Sequence, residues 1–300
     1  DLTRQIDRNR LPVMGRVWSV DAVAKNASTS FYGNIVALAE SPKREGLLFV
    51  GTDDGLIQIS EDAGAHWRRV EVPGVPEYAY VSRVVPSQYD ANTLYATFER
   101  HKMGDFKPYV FRSTDLGRTW TSIASDLPAN ATTWCLAEDF VDRNLLFLGT
   151  EFGLFFTQDG GAHWVPFTSG LPMQCIKDMV IQKREGDLVL ATFGRGFYIL
   201  DDYSPLRLVK AANLKDEAAL LPVKKTLLYV ERQPLSGRGK AQAGERLFTA
   251  PNPPYGAVFT YWLRDDYKTA KDARHEREKK STNDFYPSWD SLRAEAREDE

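Results

Sequence analysis

Ser60-Glu61-Asp62-Ala63-Gly64-Ala65-His66-Trp67 recurs as Ser113-Thr114-Asp115-Leu116-Gly117-Arg118-Thr119-Trp120 and as Thr157-Gln158-Asp159-Gly160-Gly161-Ala162-His163-Trp164. All three read Ser/Thr-x-Asp-x-Gly-x-x-Trp, and the tryptophans stand 53 and 44 positions apart. That spacing is close to the roughly 40–50 residues of one propeller blade. The likeness extends upstream, where Leu47-Leu48-Phe49-Val50-Gly51-Thr52 returns as Leu145-Leu146-Phe147-Leu148-Gly149-Thr150. Weaker copies occupy residues 93–97 and 187–192. Apolar runs bounded by turn residues are the pattern of short buried strands, so the spacing predicts four units, at about 33–73, 79–128, 132–172 and 173–205. Each of the first three offers four antiparallel strands. The fourth ends in Leu200-Asp201-Asp202-Tyr203-Ser204-Pro205 and lacks the motif.

The residue types in the motif suit a hairpin clasp. Gly64, Gly117 and Gly161 supply a turn position with positive φ without a Cβ clash. Asp62, Asp115 and Asp159 are placed to accept hydrogen bonds from turn amides, and the hydroxyls of Ser60, Ser113 and Thr157 add further local bonds. Trp67, Trp120 and Trp164 bring a large apolar face and an N–H that needs a carbonyl. These side chains are therefore assigned to structure, not to chemistry.

Composition narrows the partners. The charge of -3 on 300 residues leaves no basic stripe for a nucleic-acid backbone. No stretch reaches the roughly 20 apolar residues of a membrane helix, and the first twenty residues lack the apolar heart of a signal peptide. No histidine pair has metal-ligand spacing, and no phosphate loop or nucleophile elbow appears, so no metal and no cofactor is expected. Cys135 and Cys175, the two cysteines, sit near the starts of inner strands. They read either as small buried hydrophobes or as a disulfide, the latter requiring Cα atoms within about 7 Å.

Beyond residue 205 the pattern changes. Residues 220–223, 226–230, 247–249 and 257–263 read as strands with Gly/Pro-rich joins, the beginning of a β-sandwich over 206–266. Residues 267–300 form a charged, helix-favouring segment, read as a helical hairpin or a disordered tail. The fold class is thus all-β, with four visible blades forming part of a larger ring, then a partial sandwich.

The three motifs, the segments Gly51-Thr52-Asp53-Asp54-Gly55-Leu56 and Gly149-Thr150-Glu151-Phe152-Gly153-Leu154, and the run Thr192-Phe193-Gly194-Arg195-Gly196-Phe197-Tyr198-Ile199-Leu200-Asp201-Asp202 together resemble the bacterial sortilin-like, BNR-repeat or Asp-box "glycosyl hydrolase" propeller proteins. The resemblance implies large exported chains with many blades followed by a β-sandwich, located in the periplasm or outside the cell. It implies no established reaction, since one architecture hosts many functions.

Two functions stay open. One is a non-catalytic scaffold presenting a surface to a peptide, glycan or protein partner, or to further blades of a parent chain. The ring face is then the relevant surface, with Tyr80, Trp134 and Gln174 near inner-strand starts and Glu99, Glu151, Phe152 and Arg195 in the loops between second and third strands. In this reading Tyr80, Trp134-Cys135 and Gln174-Cys175 occupy equivalent repeat positions. The alternative is part of a sialidase- or xyloglucanase-like glycoside hydrolase, which needs two facing carboxyl groups. Asp53, Asp54, Glu99, Glu138, Asp139, Glu151 and Asp178 are the candidates, each otherwise a solvated strand-end carboxylate.

Overall fold

A computed structural model describes residues 2, 10, 12–13, 15–17, 19, 33–209, 213–228, 230, 255–280 and 287–298. The chain divides into two compact units, Asp1–Arg207 and Leu208–Glu300. The first opens with a short antiparallel pair, β1 (Pro12–Val13) and β2 (Arg16–Val17). Four blades follow. The first blade is β3 (Ile35–Glu40), β4 (Leu48–Thr52), β5 (Ile57–Ser60) and β6 (Arg68–Val70); the second is β7 (Tyr80–Pro86), β8 (Leu94–Arg100), β9 (Asp105–Ser113) and β10 (Thr121–Ser122). The third is β11 (Thr133–Glu138), β12 (Leu146–Thr150), β13 (Gly153–Thr157) and β14 (Val165–Phe167). The last has three strands, β15 (Ile176–Gln182), β16 (Asp187–Thr192) and β17 (Phe197–Leu200). Every blade is an antiparallel meander in chain order.

Burial follows from stacking blade on blade. β5 and β12 are buried at every residue because both sheet faces are covered; the apolar start of β12 predicts this, whereas β5 buries Gln58 and Ser60 as well. β17 alternates exposed and half-buried residues, with Phe197 and Ile199 facing outward. A second-strand glycine lets adjacent blades approach closely. A Cβ on Gly149 would lie 2.6 Å from Cys135 Sγ and 2.9 Å from the Ile176 carbonyl oxygen of the fourth blade. Gly51 meets Val81 of the second blade in the same way.

In each motif the residue before the glycine also adopts positive φ: Ala63 at 58°, Leu116 at 56° and Gly160 at 72°. The strain at Ala63 and Leu116 is held by side-chain bonds. Ser60 Oγ donates to Asp62 Oδ1 at 2.9 Å and accepts from Gly64 N–H at 2.8 Å, while His66 N–H donates to Asp62 Oδ1 at 2.8 Å. Ser113/Asp115/Thr119 and Thr157/Asp159/His163 repeat the arrangement at 2.7–3.0 Å.

The motifs reach further than a turn. Leu116 is buried in the core beside Ile59 and Val70 of the first blade, and Arg68 of that blade donates to its carbonyl at 2.5 Å. Trp67 and Trp120 donate locally, to the Gly64 and Gly117 carbonyls at 2.9 and 3.1 Å. Trp164 instead donates to the Ile123 carbonyl of the second blade at 2.7 Å and is 6% exposed. Ser125 Oγ of the second blade donates to the Gly161 carbonyl at 3.2 Å. Each of these two turns therefore braces the blade before it.

The second unit pairs β18 (Ala218–Leu220) with β19 (Tyr261–Leu263). Residues 226–228 carry no strand, contrary to expectation: Leu227 and Leu228 are exposed and have no sheet partner. The strand expected at 247–249 lies outside the described residues. Two helices follow, α1 (Ala270–Lys280) and α2 (Trp289–Glu298). Thr269 starts α1 by accepting from Asp272 N–H at 3.0 Å and donating to its carboxylate at 2.9 Å. Arg274 bonds Glu278 at 2.6 Å along α1 and Glu295 on α2 at 2.8 Å, tying the helices together.

Candidate functional site

Most carboxylates expected at the solvated rim are buried and committed. Glu138 accepts from Ser87 Oγ at 2.9 Å, Gln88 N–H at 2.6 Å and Tyr95 Oη at 3.0 Å, all on the second blade. Burial still pushes its carboxyl above the ordinary range. Asp139 accepts from Arg207 Nη2 at 2.8 Å and Nε at 3.0 Å and from Tyr203 Oη. Burial raises that carboxyl too, but the guanidinium and the phenol outweigh it and hold it low. Asp53 accepts from Gly33 N–H at 2.6 Å and from Asn34 N–H and Nδ2 at 2.9 Å. Asp54 is buried against Thr52 Oγ1, and Asp178 pairs with Arg83 of the second blade. These residues stitch loops and blades together.

Repeat positions are fixed by hydrogen bonding and depart from the sequence expectation. Tyr80 pairs with Glu99, Glu151 N–H donates to the Thr132 carbonyl and Phe193 N–H to that of Cys175. Tyr80, Thr132 and Cys175 are thus equivalent, as are Glu99, Glu151 and Phe193. Trp134 instead matches Ser82 and Lys177, each the bulge residue of its inner strand, between Val81 and Arg83, Thr133 and Cys135, and Ile176 and Asp178. Cys135 and Cys175 consequently fall at different positions, and both are free buried thiols. Burial pushes the Cys175 thiol up to about 12.

Two concavities open on this rim. The smaller, about 10 Å³, holds Tyr80, Glu99 and Asp53. Desolvation, then the charges of Glu99 and Asp53, raise the Tyr80 phenol. The larger is a cleft of about 380 Å³ at the seam of the second, third and fourth blades. The β8–β9 connection contributes His101, β9 contributes Phe106, β11 with its preceding residue contributes Trp134 and Thr132, and the β12–β13 turn contributes Glu151 and Phe152. The fourth blade adds Lys177 and Phe193.

The cleft is aromatic and mostly open. Phe106, Phe152 and Phe193 are 51%, 50% and 73% exposed. Trp134 is held in place, donating from Nε1 to Glu151 Oε2 at 2.9 Å and meeting the His101 ring edge-on at 5.4 Å. His101 is anchored in turn by Glu99, which accepts from its backbone N–H at 3.0 Å and contacts its Nδ1. Lys177 Nζ lies over the Trp134 ring, 2.9 Å from its centroid.

Of the residues singled out in the sequence, Trp134, Glu151 and Phe152 converge on this cleft, while Tyr80 and Glu99 share the smaller recess. Gln174 is buried with neither amide atom hydrogen-bonded, and Arg195 is exposed in the turn carrying Phe193; neither lines the cleft. Sequence reasoning missed His101, Phe106, Thr132, Lys177 and Phe193. Phe193 was the findable one, since Thr192-Phe193 aligns with Thr150-Glu151. Among the described residues no cluster of His, Cys, Asp or Glu is arranged to hold a metal.

No protein-family model matches the chain, and no curated protein matches it. Solved structures do. A GH74 xyloglucanase from Xanthomonas campestris is 16% identical with a TM-score of 0.45, over 57% of this chain and 29% of that one. The GH74 enzyme of Niastella koreensis is 16% identical with a TM-score of 0.47, over the same shares. YCF48 bound to D1 peptide is 13% identical with a TM-score of 0.44, over 56% of this chain and 51% of that chain. The chain therefore spans less than a third of the GH74 chains and about half of the YCF48 chain.

Proposed function

We propose that this chain is a non-catalytic propeller scaffold whose cleft between the second, third and fourth blades receives a peptide, glycan or protein partner. The observation that carries it is the lining: three solvent-facing phenylalanines around about 380 Å³, with Glu151 as the one carboxylate among the described residues. Exposed aromatics clustered in a concavity mark a binding surface, because their burial by a partner releases water from apolar area. Glycoside hydrolysis needs a pair of carboxyl groups flanking the bond. The Asp53–Glu99 recess has room for roughly one water, and Asp53 is already committed to the Gly33 and Asn34 amides. The second reading, part of a xyloglucanase-like hydrolase, is favoured by Glu151 in an aromatic cleft, and it needs another carboxylate from outside the described residues.

The Asp-box motifs and the sortilin-like resemblance support an exported protein acting in the periplasm or outside the cell. No described helix is long and apolar enough to cross a membrane.

The test is capture from a random peptide library and a glycan panel, run alongside a glycosidase panel. Phe193→Ala and Phe152→Ala are expected each to weaken capture by about tenfold or more while leaving the melting temperature nearly unchanged. Release of oligosaccharide that Glu151→Gln abolishes would overturn the proposal in favour of the hydrolase.

A further inference from the structure

We infer, resting on the binding reading above, that the cleft contains a seat for an organic ammonium group, occupied in the free protein by Lys177 and taken over by a lysine side chain of an extended peptide partner. The seat is built before any ligand arrives. Glu151 fixes the Trp134 indole through its N–H, and His101, itself anchored by Glu99, braces the ring by its edge. One ring face carries a cation. Lys177 Nζ rests on it, 2.9 Å from the Trp134 centroid and 5.9 Å from that of Phe193. An ammonium over an indole face is attracted by the ring quadrupole, and Glu151 on the same ring supplies opposite charge nearby.

Lys177 occupies this seat because of the β15 bulge. The register shift between Ile176 and Asp178 places Lys177 at the position held by Ser82 and Trp134 in the preceding blades. Its four-carbon stem is flexible, so it is a displaceable occupant. An internal occupant lowers the apparent affinity of any external ligand by the fraction of time it fills the seat. Phe152 and Phe193, exposed in the same cleft, offer apolar surface to the residues next to an incoming lysine.

The experiment uses calorimetric titration of the 300-residue chain with acetyl-Gly-Phe-Lys-Phe-Gly-amide, and with the same peptide carrying norleucine or glutamate in place of lysine. Lys177→Ala is expected to tighten binding of the lysine peptide about two- to thirty-fold, the range of a cation–π contact, with less than a twofold change for the norleucine peptide. Trp134→Leu in the Lys177→Ala background should remove the gain. Lys177→Gln serves if Lys177→Ala fails to fold. Equal gains for lysine and norleucine peptides, or loss of a preferred glutamate peptide on removing Lys177, would overturn the ammonium seat. Binding of the norleucine peptide without any lysine advantage sinks the seat but leaves the binding surface standing. Failure of all three peptides sinks the seat, and the library screen then judges the surface separately.

Discussion

Glu138 and Asp139 are consecutive in the chain yet fasten the third blade to opposite neighbours, Glu138 to Ser87 and Tyr95 of the second blade and Asp139 to Tyr203 and Arg207 beyond the fourth. The Asp139 side chain is fully buried, so removing it strands the Arg207 guanidinium. Asp139→Ala is expected to cost about 3–5 kcal/mol by urea denaturation. Hydrogen exchange should quicken in β16 and β17 first, and unchanged exchange there would contradict the assigned anchor.

Gly149→Ala isolates the closeness of the third and fourth blades. Its φ is ordinary, so the cost comes from space alone: the new methyl meets the Ile176 backbone oxygen, which cannot swing away. A loss of about 1–3 kcal/mol in denaturant unfolding is expected, the usual range for overpacking.

Acid should loosen the turns. Asp62 is held at about 2 by the His66 amide and ring, and Asp115 at about 2 by the Thr119 hydroxyl and amide. Burial raises Asp159, but the His163 amide and ring outweigh it and bring it also to about 2. Carboxyls whose folded value lies below the unfolded value of 3.8 add stability that is present above that value and is lost as pH falls through about 2. Thermal melts across pH 5 to about 2 should show that decline, and Asp115→Asn should shallow it while lowering stability at neutral pH.

The three motif tryptophans should differ. Trp164 is buried across a seam and bonds the preceding blade, so Trp164→Ala should cost about 3–5 kcal/mol. Trp67 and Trp120 are half-buried and bond only their own turns, and their loss should cost less in the same denaturation assay. Equal costs at all three would remove the distinction.

Local chemistry is what made the blades legible. Gly64, Gly117 and Gly161, each in a Ser/Thr–Asp–Gly–Trp frame, announce turns, and the Leu-Phe-Val-Gly-Thr and Leu-Phe-Leu-Gly-Thr runs announce their middle strands. The last blade shows three strands among the described residues, in keeping with the absence of the motif after Leu200. What lies between blades was not readable. Glu138 and Asp139 looked like rim carboxylates because their partners are 43 to 68 residues away, and spacing within one repeat carries no information about them. The cleft was half legible for the same reason. Trp134, Glu151 and Phe152 come from one blade, whereas His101 and Lys177 arrive from its neighbours, and matching Trp134 to Gln174 stopped three residues short of Lys177.

The backward lean of the turns at Leu116 and Trp164 bears on how the protein forms during synthesis. The second and third blades each present their closing hairpin to a sheet that has already left the ribosome. Every such seam is completed by the later-made partner, so the forward flank of each blade stays open until the closing turn of the next one has been translated.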